Sequence, residues 1–223
     1  MNLSTMNLDW LLRDSVQTTV IFAVLVFIAV FTQFNKATRF KSMPFALRAL
    51  LKAAPALFLT WLAWSLGQNL VALLFLLCSI GDIFLDLPTD KVKNGFLIGG
   101  VSFFAALICV CILSEGKQVQ NYPLLRLAIT NIVIASFVLR WVLPKLKKFE
   151  LIVEVVYFAM LIVANVFAST SNVSVFLGSS LWFMSDLSIG LGEKVSDDPV
   201  NSLDTLGLYD LGLYFLAIGF LNT

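Results

Sequence analysis

Two aspartates stand one helical turn apart inside the apolar run FLLCSIGDIFLDLP (75–88): Asp82 and Asp86. A near copy follows as SLWFMSDLSIG (180–190), with Asp186 in the place of Asp82. In both, an apolar run leads to a small residue, Gly81 or Ser185, then Asp, then another apolar residue. A carboxylate at the centre of a membrane helix costs about 2.5–3.5 kcal/mol on insertion scales, so repeated acids in such a setting point to a polar cavity or to chemistry. Two carboxyls facing one another away from water would share a proton, which gives a general acid and an anionic partner. Such a pair suits reactions through an oxocarbenium-like cation, by analogy with glycoside cleavage. It equally suits proton-coupled transport, and a hydrogen-bonded polar core fixing helix register is the plain structural alternative.

Other polar side chains are candidates of a second rank. Asp86 lies near Pro88 and reads either as a solvated, headgroup-facing helix end or as part of the site. Glu154 sits one turn into its apolar run, with Tyr157 on the same face and Asn165 further along. Asp210, beside Tyr209 and near Tyr214, reads as an interfacial carboxylate in an aromatic belt. Lys52 is expected to snorkel to the inner surface, or to meet an anionic headgroup as a compact phosphate partner. The chain has no histidine, which removes the commonest general base, the commonest metal ligand and any Ser-His triad. Its three cysteines, Cys78, Cys109 and Cys111, lie within apolar runs and read as small packing residues. No metal site is expected.

These residues need a frame. With 59% hydrophobic residues, 13% charged residues and a mean hydropathy of +0.92, a chain of 223 residues has more apolar surface than a water-soluble domain of that size can bury. The expectation is an all-α, polytopic transmembrane bundle of about eight spanning helices in one domain (15–223), preceded by an interfacial segment (1–14) too polar for a cleavable signal peptide. Segments near the ~20 residues of a bilayer span fall at 15–34, 53–66 (or from near Phe45), 70–87, 96–113, 122–143, 151–168, 174–191 and 206–221. In the second segment, Pro55 is placed in the first turn, where proline costs least. Lys36, Arg39, Lys41, Arg48 and Lys52 form a basic loop after the first segment, Lys91 and Lys93 follow the third, and Lys145, Lys147 and Lys148 the fifth. Only Arg13, Lys117 and Arg126 fall on the opposite side, so both termini are expected outside the cytoplasm. Asp82 and Asp186 then share a depth in the cytoplasmic half, and the spacing of their segments suggests two parallel four-helix halves. A net charge of +1 offers no field for nucleic acid, so the lipid bilayer is the expected partner.

The chain resembles the lysoplasmalogenase, or YhhN-like, family of integral membrane proteins. The resemblance covers most of the chain and rests on CSIGDIFLDLP (78–88), FLIGGVSFFAALI (96–108), VVYFAMLIVANVFA (155–168) and LGSSLWFMSDLSIG (177–190), with Lys52 and Pro55 at the start of the second helix. It implies hydrolysis of the vinyl ether bond of lysoplasmalogen to a fatty aldehyde and a glycerophospho-headgroup, without cofactor. Asp82 and Asp186 would be catalytic, in roles that the resemblance leaves interchangeable. Lys52, Asp86, Glu154, Tyr157, Asn165 and Tyr214 would contact a lysophospholipid-type substrate. Leu107 and Ile218 stand where the family's fourth and last helices carry His and Gln. A small proton-coupled transporter and a non-catalytic membrane scaffold remain the alternatives. The expected location is the bacterial inner membrane, or otherwise the endoplasmic reticulum.

Overall fold

A long apolar run in hydrocarbon must satisfy its backbone N–H and C=O groups internally, and the α-helix does so within one segment. In the computed structural model, residues 15–37, 44–87, 94–115, 122–142, 144, 148–195 and 200–221 are described. They form eight helices: α1 (Ser15–Ala37), α2 (Phe45–Ser65), α3 (Asn69–Asp86), α4 (Gly95–Ser114), α5 (Tyr122–Val142), α6 (Lys148–Ser169), α7 (Val173–Val195) and α8 (Val200–Leu221). Among the described residues there is no strand. The segment 1–14 and the loop residues Arg39, Lys41, Pro88, Lys91, Lys93, Lys117, Lys145 and Lys147, on which much of the expected orientation rests, lie outside the described residues.

By length and composition, Phe45–Ser65, Asn69–Asp86, Gly95–Ser114 and, within α6, Ile152–Ser169 are able to cross a membrane. The other four helices carry shorter apolar stretches, Gln17–Thr32, Leu125–Phe137, Val173–Ile189 and Thr205–Leu221. Large apolar side chains point outward on many helices, among them Phe27, Trp64, Phe96, Val133, Phe137 and Ile152. The fold is a helical membrane bundle.

α1, α2, α3, α4, α6, α7 and α8 pack in succession, and α8 returns to α1 to close a ring. α5 lies outside it, on α6 and α7, while α8 also touches α2 and α3. The turn from α2 to α3 is short and centres on Gly67. Gly67 takes a left-handed φ of 72°, its N–H bonds Trp64 O at 2.9 Å and the Gln68 N–H bonds Ala63 O at 2.9 Å. Those two bonds are the Schellman closure that favours glycine at this position. Asn172 opens α7 by accepting from the Val175 N–H at 2.9 Å, and its own amide donates to Gly219 O of α8 at 2.9 Å.

The main correction concerns α2. It begins at Phe45, the earlier of the two expected starts, so Pro55 lies in the helix interior and not in its first turn. Proline there removes the donor for the carbonyl four residues back. The ring is buried, as are its neighbours Ala53 and Ala56. The basic residues Arg48 and Lys52, which read as a loop, are helical. Likewise α7 runs on to Val195 and α8 starts at Val200, because a helix is set by its backbone bonds and polar residues can extend it past the apolar run.

α7 and α8 touch backbone to backbone. A Cβ added at Gly178 would lie 2.6 Å from Gly212 O and 2.7 Å from the Leu216 nitrogen, with no flexible side chain to yield at either. Gly178→Val should therefore lower the melting temperature in detergent, by an amount equivalent to about 1–3 kcal/mol. Gly207→Ala, where nothing lies within 4 Å, should leave it unchanged. Equal melting of the two variants would show that the helices are not held so closely.

Candidate active site

α3 presents Cys78, Asp82 and Asp86 at four-residue intervals on one buried face. α2 presents Arg48 and Lys52 at the same interval, so two basic rungs meet two acidic ones. Arg48 Nε donates to Asp86 Oδ2 at 2.7 Å. Lys52 Nζ lies 3.6 Å from Asp82 Oδ1, and the Tyr209 hydroxyl of α8 donates to Asp82 Oδ2 at 3.0 Å. Asp82 is 2% exposed and Asp86 only 7%, so Asp86 is an ion-paired interior group rather than the wet helix end expected. Lys52 likewise turns inward to Asp82 and does not snorkel to the surface. The physical reason is common to both: two carboxylates inside the bundle need cations, and α2 supplies them at matching pitch.

The second aspartate is bonded from α6. Tyr157 of α6 donates its hydroxyl to Asp186 Oδ2 of α7 at 2.7 Å. Glu154, one turn before Tyr157, is near enough to act on Asp186 electrostatically. Trp182, one turn before Asp186, lies against the same carboxyl, yet its Nε1–H is buried outside hydrogen-bond geometry with any described residue. Asp82 and Asp186 themselves lie within electrostatic reach of one another, and the Cys78 thiol is within reach of both. Around them Phe103, Trp182 and Tyr209 pack edge to face, with ring centroids 5.8–6.0 Å apart.

The small residue before each aspartate does comparable work in both copies. Gly81 lets Phe103 of α4 close over α3, since a Cβ there would meet the ring at 2.6 Å. Ser185 donates its hydroxyl to Thr205 O of α8 at 2.9 Å. Each holds the aspartate helix against the helix that follows it.

A third carboxyl belongs to this interior. Asp210, expected at the interface, is 1% exposed and lies within electrostatic range of Asp82 and Lys52. Neither of its oxygens has a hydrogen-bond partner among the described residues.

The YhhN family model matches residues 47–220. The chain belongs to the YhhN family. No curated protein and no solved structure matches it. The match takes in every side chain of the cluster just described.

Two residues expected at the site of this YhhN protein lie in other networks. The Asn131 Nδ2 of α5 donates to Asn165 Oδ1 at 3.2 Å and to Ser180 Oγ at 3.1 Å, and Asn165 Nδ2 reaches Ser179 and Ser180 Oγ at 3.3 and 3.1 Å. This knot pins the outlying α5 to α6 and α7, and Asn165 stands about 12 Å along α6 from Tyr157 at 1.5 Å per residue. The Tyr214 hydroxyl is 2.6 Å from Thr19 Oγ1, and its ring stacks on Phe22 with centroids 5.2 Å apart, which joins α8 to α1. Leu107 is a buried core residue. Conversely, Arg48, Tyr209 and Asp210 belong to the cluster and were not singled out for it. The signal for Arg48 was present: the four-residue spacing of Arg48 and Lys52 equals that of Asp82 and Asp86.

Truncating Arg48 takes the ion pair from a buried carboxylate. Arg48→Met should cost about 1.5–3 kcal/mol, and Arg48→Met with Asp86→Leu less than the sum of the single changes. Thermal unfolding in detergent measures this cycle, and strict additivity would mean that the pair does not couple.

Proposed function

We propose that the protein hydrolyses the vinyl ether bond of lysoplasmalogen by carboxylic acid catalysis, releasing a fatty aldehyde and a glycerophospho-headgroup. One observation carries this reading beyond family membership: Asp82 and Asp186, from helices far apart in sequence, lie within electrostatic range of one another, each bonded by a tyrosine hydroxyl.

The two environments suggest the division of labour. Asp82 has a cation and a phenol donor, Lys52 and Tyr209, and suits the anionic role. Asp186 has a phenol donor and a second carboxyl nearby, Glu154, and suits the role of acid. In the proposed reaction the Asp186 proton passes to the β-carbon of the vinyl ether, and the C=C electron pair forms that C–H bond. The ether oxygen then shares the positive charge with the α-carbon. Asp82 offsets the cation and takes a proton from the water that adds to the α-carbon. The resulting hemiacetal breaks its bond to the glycerol oxygen, which leaves with the hydroxyl proton, and the carbonyl forms. A proton then returns from Asp82 to Asp186, so none is consumed. The Trp182 Nε1–H, beside the Asp186 carboxyl, offers a donor for the water or the ether oxygen.

A carrier would also use buried acids. Against it, α3 and α7 run unbroken through the aspartates, without the mid-span interruptions that form substrate sites in many carriers. The bilayer and a lysophospholipid are the proposed partners.

Asp82→Asn and Asp186→Asn should each reduce aldehyde release from lysoplasmalogen by about 10^2–10^4-fold, with melting temperatures near that of the wild type. Coupled aldehyde detection on purified protein measures this. Near-normal release by either folded variant would remove that aspartate from the chemistry.

A further inference from the structure

Buried polar groups in folded proteins find partners, so a carboxyl with both oxygens unbonded requires an explanation. Asp210 is such a group, at 1% exposure, while the other three interior aspartates are bonded. Its surroundings name what is missing. α2 faces it with Lys52, α3 with Asp82, and its own helix with Tyr209, whose hydroxyl is committed to Asp82. None of these donates to Asp210.

Lys52 shows the complementary shortage. An ammonium has three N–H donors. Its contact with Asp82 Oδ1, at 3.6 Å, is longer than an N–H···O hydrogen bond. The site therefore holds two unbonded acceptor oxygens on α8, within electrostatic range of the proposed catalytic Asp82, and on α2 an ammonium with more donors than its one contact with Asp82 uses. The guest that matches carries an O–H donor close to an ether or phosphoester oxygen. A glycerol lipid with one chain has that pair of groups, because its second carbon keeps a free hydroxyl. A lipid acylated at that carbon offers no donor and would turn a carbonyl acceptor towards the Asp210 oxygens, a repulsive contact.

We propose that Asp210 is a specificity-determining residue that receives the free glycerol hydroxyl of a single-chain lipid, while Lys52 takes the neighbouring ether or phosphoester oxygen. This rests on the lysolipid reading above, but not on the hydrolytic chemistry. A site built to bond a hydroxyl discriminates strongly against the analogue that lacks it, because its own polar group is then left unpaired.

The test is binding by the purified full chain in detergent, followed by calorimetry, of two uncleavable probes. One is a 1-O-alkyl glycerophosphoethanolamine with a free hydroxyl at the second carbon, and the other is its 2-deoxy counterpart. The wild type should prefer the hydroxyl probe by roughly tenfold or more. Asp210→Leu should bind both alike, and Asp210→Asn, which keeps one acceptor and the shape of the side chain, should keep part of the preference. Equal binding of the two probes by the wild type would mean that water alone occupies the gap, and would overturn the proposal. So would binding of neither probe, or an undiminished preference in a folded Asp210 variant. Aldehyde release from a vinyl ether lipid, measured on the same preparations, separates the two readings: a hydroxyl preference without aldehyde removes the hydrolase and leaves the role of Asp210 standing.

Discussion

The cost of taking carboxylates out of water governs the interior of this protein. Effective penalties of several kcal/mol per ion remain even after relaxation, so each acid must be met by a donor or a cation. Asp86 has Arg48, Asp82 has Lys52 and Tyr209, and Asp186 has Tyr157. These partners come from α2, α6 and α8, and they tie α2 to α3, α6 to α7 and α8 to α3. An apolar bundle in lipid gains little from the hydrophobic effect between its helices. Close packing at Gly178 and Gly212 and the acid–donor contacts therefore give the assembly its specific arrangement.

The same constraint explains how the two aspartate motifs act together. Each aspartate follows a small residue that lets the next helix approach, and each faces a donor from the preceding helix. Lys52 on α2 faces Asp82 and Tyr157 on α6 faces Asp186, but only one of the two is charged. Two similar motifs thus hold two acids in unlike surroundings, which is the asymmetry that the proposed acid catalysis with an anionic partner needs. Tyr209 reinforces the difference by bonding Asp82.

Much of this was legible in the sequence. The apolar runs gave the helices, and the paired motifs singled out Asp82 and Asp186, since an acid in such a run stands out against its neighbours. What the runs concealed were residues whose meaning depends on another helix. Arg48 and Lys52 read as a loop because a hydropathy pattern registers charge as an end of the membrane, whereas here the charges face acids on α3. Pro55 was misplaced by the same shortening of α2. Asp86 read as a wet terminus for its nearness to Pro88, and Asp210 as an interfacial acid for its tyrosine neighbours. Both lie inside because α2 and α8 cover them, and no local pattern reports which helix covers a given face. Asn165 and Tyr214 were recognised as polar groups within apolar runs, but sequence spacing does not say which network such a group joins.

Protonation of carbon by a carboxylic acid in this bundle is the proposed step. Its most direct test is hydrolysis of lysoplasmalogen by the purified protein in deuterated water, with the aldehyde trapped as it forms and weighed by mass spectrometry. Protonation of the β-carbon predicts one deuterium on the carbon next to the aldehyde carbonyl. An aldehyde carrying none, or no aldehyde at all, would contradict the account.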